Sequence, residues 1–191
     1  MQAVSVIGVR MELPSNQPIV LLREDEGIRY LPIWIGAVEA AAIANVQQGI
    51  VTARPLTHDL VRDIFLATGL ELTRIEIVDL QDRIYFADLV FDDGTRVSAR
   101  PSDAIAIALR LQAEIFVAEH VLVEGGIELS DAEADQSDDI EDFDPDAEPN
   151  DDPNEEGVRS AGGRAAPIAE SEVERFREFL DTISPDDFGA S

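Results

Sequence analysis

The sequence predicts an α+β fold: a mainly antiparallel sheet with two or three packed helices, then a disordered acidic linker and a C-terminal helix. Three observations lead there. Short apolar or alternating runs separated by turn residues recur through residues 1–130, as hairpin-linked strands do. Between them lie stretches with helix-start chemistry followed by apolar residues at helical spacing. Beyond Ser130 the composition turns acidic and apolar residues thin out.

Residues 4–13 read as a strand, and Pro14-Ser15-Asn16-Gln17-Pro18 as a turn. Residues 19–23 and 29–35 form a second and a third strand around the Asp25-Glu26-Gly27 turn, with Pro32 placing the third at an edge or a bulge. Gly36 caps a small-residue helix over 37–46, where Glu39 is set to reach back to the cap amide. A helix over 58–68 is expected to bury Leu60, Val61, Ile64 and Phe65, and Gly69 stops it. Strands follow at 71–80 and 83–91, joined by Gln81-Asp82, and at 95–100 after Asp92-Asp93-Gly94. The helix at 104–111 is apolar on every face up to Arg110, so it is expected at the centre of the core. A short buried strand (115–118) and a last turn (119–122) complete a folded domain at 1–130.

Residues 131–156 hold 14 acids and no base, so 131–168 read as a self-repelling disordered linker. Residues 169–184 return to helix, with Val173, Phe176, Phe179, Leu180 and Ile183 on one stripe, and 185–191 form a tail. The net charge is −26, of which residues 1–129 contribute −9. That balance excludes tight non-specific nucleic-acid binding, so any nucleic-acid activity needs a local arginine patch. The acidic segment is suited to a basic partner.

There is no cysteine and no lysine, which excludes thiolate chemistry, Schiff bases and a P-loop lysine. Residues 1–6 lack the charges of a signal peptide, and the longest apolar run, 31–46, is broken by Pro32, Gly36 and Glu39. A soluble, cytoplasmic protein without membrane contact is expected. The small-residue helix and an edge strand suit a homo-oligomer.

The chemistry concentrates in two similar junctions. Ala53-Arg54-Pro55-Leu56-Thr57-His58-Asp59 and Ala99-Arg100-Pro101-Ser102-Asp103 each run Ala-Arg-Pro into hydroxyl and aspartate residues before a helix. Proline with Ser, Thr and Asp is ordinary helix-start chemistry, in which Ser102 and Asp103 would cap free amides. It does not account for an arginine before each proline, nor for a histidine in a first helical turn.

With Leu31-Pro32-Ile33-Trp34-Ile35-Gly36 and Glu39-Ala40, these junctions make the first 130 residues resemble the bifunctional nuclease domain family. The C-terminal stretch is similar to extensions on some bacterial members. Two positions depart from the pattern: Ser98 stands where an aspartate is frequent, and His120 where an acid is common. The resemblance implies hydrolysis of phosphodiester bonds in DNA and RNA, with nucleic acid, preferably single-stranded, as a transient substrate.

For that chemistry Arg54 and Arg100 are suited to clamp phosphate with forked hydrogen bonds, aided by Thr57, Ser102 and two helix N-termini. His58 is the candidate acid–base group, with Asp59 and Asp103 to orient it. Asp59, Asp103 and Glu39 are the carboxylates that would ligate Mg²⁺ or Mn²⁺. The same residues also read as structural salt bridges and caps, and the chain as a non-enzymatic module that binds an anion, a nucleotide or a partner protein. Whether Arg54, His58, Arg100 and Asp103 share one cleft separates these readings.

Overall fold

The computed structural model describes residues 1–12, 15–128 and 140–143, all within the first of the two units into which the chain divides, Met1–Glu148. The elements are β1 (Gln2–Glu12), β2 (Gln17–Glu24), β3 (Arg29–Trp34), α1 (Ala37–Gln47), α2 (Thr57–Thr68), β4 (Leu72–Gln81), β5 (Ile84–Phe91), β6 (Arg96–Ala99), α3 (Pro101–Leu111), β7 (Glu114–Val117), α4 (Glu119–Gly125), β8 (Ile127–Glu128) and β9 (Ile140–Asp142). This is the expected α+β architecture, with four helices rather than two or three among the described residues.

The strands run β6-β5-β4-β7-β1-β2-β3-β8, with β9 added on β1. All pairings are antiparallel except that of β4 with β7. The β4–β5 turn is built on Asp82 (φ 50°) and Arg83 (φ 65°), one residue later than expected. Two left-handed residues in succession give the type I′ twist that suits a tight hairpin. Pro32 sits beyond the two-residue pairing of β3 with β8, so its missing N–H faces an open edge as expected.

The helix α3 is the centre of the molecule. Ala104, Ile105, Ala106, Ile107 and Ala108 are five successive buried residues. They pack against α1, α2, β4, β5 and β7, so no face of this helix meets water along that length. The helix begins at Pro101 rather than Ala104, with Arg100 as its N-cap. Ser102 and Asp103 therefore lie inside the first turn and do not cap it. Proline at the first helical position needs no N–H partner there. Residues 119–125 form α4, longer than the single turn expected, which packs against both β3 and β4.

Two expectations fail. In α2, Val61 and Phe65 are only partly buried, while Leu60 (54 %) and Ile64 (48 %) are exposed. The buried residue of that helix is His58. The α2 helix lies on the rim, pressing Phe65 edge-on to Phe91 at 5.1 Å, and Leu60 and Ile64 face away from the core. Within the stretch expected as disordered linker, Ile140–Asp142 pairs with Arg10–Glu12 of β1, and Phe143 packs on the core. This segment covers an edge of β1 that β7 leaves open. The rest of the linker, the helix at 169–184 and the tail lie outside the described residues.

Candidate functional site

Three helix starts converge on one cluster. The first turn of α3 supplies Asp103, and the residue that caps that helix is Arg100. The first turn of α2 supplies His58 and the first turn of α1 supplies Glu39. His58 Nε2 lies 3.0 Å from Asp103 Oδ1. Arg100 donates from Nε to Asp103 Oδ2 at 2.6 Å, and from Nη2 to Glu39 Oε1 at 2.7 Å. Residues 45 and 61 positions apart in sequence thus share one hydrogen-bonded network.

The electrostatics are asymmetric. Burial pushes the Asp103 carboxyl upward, but hydrogen bonds from Arg100 and His58 outweigh it and hold the group below its ordinary value. Asp103 is therefore ionised and can only accept, so Nε2 of His58 carries the proton of this hydrogen bond. The hydrogen bonds it donates to Asp103, then to Glu39, hold the Arg100 guanidinium more firmly in its charged form. The histidine side chain is nearly buried, whereas that of Arg100 is 65 % exposed and stands at the mouth of the cluster.

Asp59 is directed elsewhere. Its Oδ1 accepts from Arg110 Nε at 2.6 Å and its Oδ2 from the Leu56 amide at 2.9 Å. Burial works against its ionisation, but these donors prevail and lower its pKa. Arg110, 3 % exposed, also donates to the carbonyls of Ala42 and Ala106 at 3.1 and 2.9 Å. One guanidinium therefore ties α1, α2 and α3 together. Arg110 was legible only as the lone charge closing an apolar helix, a pattern that signals a buried cation with partners.

A family model for the bifunctional nuclease domain matches residues 20–130. The chain belongs to the bifunctional nuclease domain family. Uncharacterized proteins from two strains of Mycobacterium tuberculosis are 47 % identical to it over all 191 residues, covering both chains completely. Bifunctional nuclease 2 of Arabidopsis thaliana is 28 % identical over 129 residues, 63 % of this chain and 39 % of the plant protein. Bifunctional nuclease 1 of the same plant is 27 % identical over 124 residues, covering 60 % and 38 %. The chain thus spans about two fifths of the length of the plant relatives.

Within this family domain, the His58–Asp103 contact joins the helices that follow the two Arg-Pro junctions. Among the described residues, no side-chain hydrogen bond or ion pair brings Arg54, Thr57 or Ser102 into that network. Ser102 is buried beneath the first turn of α3, and Thr57 is exposed at the first position of α2. Arg54 is exposed on the loop before α2, where Thr52 Oγ1 donates to its carbonyl at 2.6 Å. Among the described residues its guanidinium forms no ion pair. Glu39, Asp103 and Asp59 do not converge: Arg100 lies between the first two, and Arg110 holds the third. Among the described residues no group of three His, Asp or Glu side chains is arranged to hold a metal ion. As arranged, these donors do not fit a Mg²⁺ or Mn²⁺ shell. Also among the described residues, no helix is long and apolar enough to cross a membrane.

Proposed function

We propose that this chain hydrolyses phosphodiester bonds of single-stranded DNA and RNA in the cytoplasm, with His58 as its acid–base group. The observation that carries this reading is the His58–Asp103–Arg100 contact, made between two sequence-distant junctions of one type. Asp103 fixes the ring through Nε2–H, so Nδ1 accepts the proton of an attacking water, and the aspartate stabilises the imidazolium that results. Arg100 exchanges Glu39 for a phosphoryl oxygen as substrate enters, a move its exposed side chain permits. Arg54, without an ion pair among the described residues, supplies the second cation, and the protonated His58 returns its proton to the leaving oxygen. No step is routed through a metal ion. The names of the plant relatives support the substrate class, and the exposed apolar face of α2 (Leu60, Ile64) supports a homo-oligomer.

The test is cleavage of labelled single-stranded DNA and RNA by the purified chain, with Mg²⁺, with Mn²⁺ and with chelator. His58→Ala and Asp103→Asn are each expected to lower the rate by about 10²-fold or more, with circular dichroism unchanged. Intact substrates under all three conditions overturn the proposal. A rate abolished by chelator overturns its metal-free step.

A second reading has its own observation. Arg100 is compensated by two carboxylates, so the cluster with neutral His58 carries a net charge of −1 and is poor at holding phosphate unaided. A regulatory module that binds a basic partner through its acidic segment follows from that. Pull-down of one partner by the whole chain, lost when residues 130–191 are removed, would support it over the hydrolase.

A further inference from the structure

A groove outside the cluster, about 770 Å³, is walled by Trp34 and Pro32 of β3, Tyr85 of β5 and Gly125 at the end of α4. Trp34 is 51 % exposed, unusual for so large an apolar ring. It is nonetheless held in place: its Nε1–H donates to Glu12 Oε2 at 3.0 Å, and Ser15 Oγ donates to the same oxygen at 2.8 Å. The Tyr85 hydroxyl donates to the Pro32 carbonyl at 3.4 Å, bringing β5 up to β3. A Cβ at Gly125 would lie 2.6 Å from that hydroxyl, so glycine lets this wall close without displacing the tyrosine.

The polar groups on the groove form a specific set. Glu12 keeps its second oxygen as an acceptor, and Glu124 adds another carboxylate. The one cation is Arg83, held left-handed at the β4–β5 turn and without an ion pair among the described residues. A flat aromatic wall, acceptors at its edge and a single free guanidinium match a planar ring with amino donors and an attached phosphate.

We propose that this groove holds a nucleobase of a single strand, stacked on Trp34, with its amino edge on Glu12 and its phosphate on Arg83. This rests on the reading of single-stranded nucleic acid as substrate and names where a base of that substrate is held. Duplex bases are stacked and paired and cannot enter. Two carboxylates favour adenine, cytosine and guanine, which carry an amino group. Uracil and thymine lack an amino group and offer only the ring N3–H between two carbonyls, so they are held more weakly.

The chain has one tryptophan, so its emission reports on this groove alone. The full chain is titrated with AMP, CMP, UMP, a single-stranded oligonucleotide and the matching duplex. Quenching is expected with the strand, with AMP and with CMP, less with UMP and none with duplex. The strand is expected to bind more tightly than any mononucleotide. Arg83→Gln is expected to weaken AMP binding by about fivefold and to leave adenosine binding unchanged.

No quenching by the strand overturns the proposal, as does equal quenching by UMP and AMP. An Arg83→Gln variant that binds AMP as wild type removes the phosphate assignment. Mononucleotides binding as tightly as the strand make this a nucleotide pocket and overturn the strand. His58→Ala is expected to quench as wild type. Quenching without any cleavage defeats the hydrolase reading alone, and cleavage without quenching defeats the groove alone.

Discussion

Asp59 neighbours His58 in the chain, yet the structure ties it to Arg110, and a double-mutant cycle separates these two roles. Arg110→Met removes three hydrogen bonds: to Asp59 Oδ1, to the Ala42 carbonyl and to the Ala106 carbonyl. It also leaves the carboxylate of a largely buried Asp59 without its cation. Breaking one side of a fully buried pair costs about 3–5 kcal/mol. Asp59 keeps the Leu56 amide and some solvent, so the lower end, about 3 kcal/mol, is expected. In a domain of this size that lowers Tm by roughly 6–12 °C. Asp59→Asn keeps an acceptor but loses the charge and is expected to cost about 2 kcal/mol. The coupling energy, read from urea unfolding of wild type, both singles and the double, is expected near 2 kcal/mol. A coupling within about 0.5 kcal/mol of zero would show two independent residues and refute the tie. Asp103→Asn is the control, expected to lose cleavage and to show no coupling to Arg110→Met.

Four further outcomes follow from the same contacts. A Cβ at Gly36 collides with the Glu39 carboxylate, so Gly36→Ala is expected to free Arg100 from Glu39 and change the salt dependence of cleavage while the melting temperature holds. Ile105→Ala, in the core of α3, is expected to cost about 2–5 kcal/mol in urea unfolding, whereas Leu60→Ala, on the exposed face of α2, is expected to cost no more than about 0.5. Asp59 and Asp103 both have lowered folded-state pKa values, so their stabilisation is complete above the ordinary value of 3.8 and is lost as pH falls through the lower folded values; Asp59→Asn is expected to flatten the fall in Tm below about pH 4. Arg54→Gln is expected to raise KM and leave Tm unchanged, whereas Arg100→Gln changes kcat as well, because Arg100 also holds Asp103.

Much of the fold was legible because its signals are local. Turn residues and alternation marked β1 to β6, and an uninterrupted apolar stretch marked α3 as central. The two failures are tertiary in origin. Leu60 and Ile64 have helical spacing, but spacing says only that a face is apolar, not that anything covers it. Ile140–Asp142 forms a strand because β1 offers an open edge, which no count of acids within the segment reveals. At the cluster, the residue types of the two junctions were legible and their meeting was the open question. The different partners of Asp59 and Asp103 were not legible, since Arg110 lies 51 residues from Asp59.

Position within the helices accounts for that difference. Leu56 caps α2 and Arg100 caps α3, so Asp59 and Asp103 occupy the same third position of their helices. His58 and Ser102 occupy the same second position, and both are buried. What differs is the arginine. In the second junction it is the cap itself, three residues before the aspartate, and the two side chains meet. In the first junction it lies two residues further back, beyond the reach of its own helix. Asp59 therefore draws its cation from the far end of α3, which pins α2 in place, and Arg54 is left exposed and without an ion pair among the described residues. A two-residue offset between otherwise equivalent junctions thus yields one arginine that organises the cluster and one that stays exposed on the loop before α2, while the pinned helix sets the imidazole against Asp103.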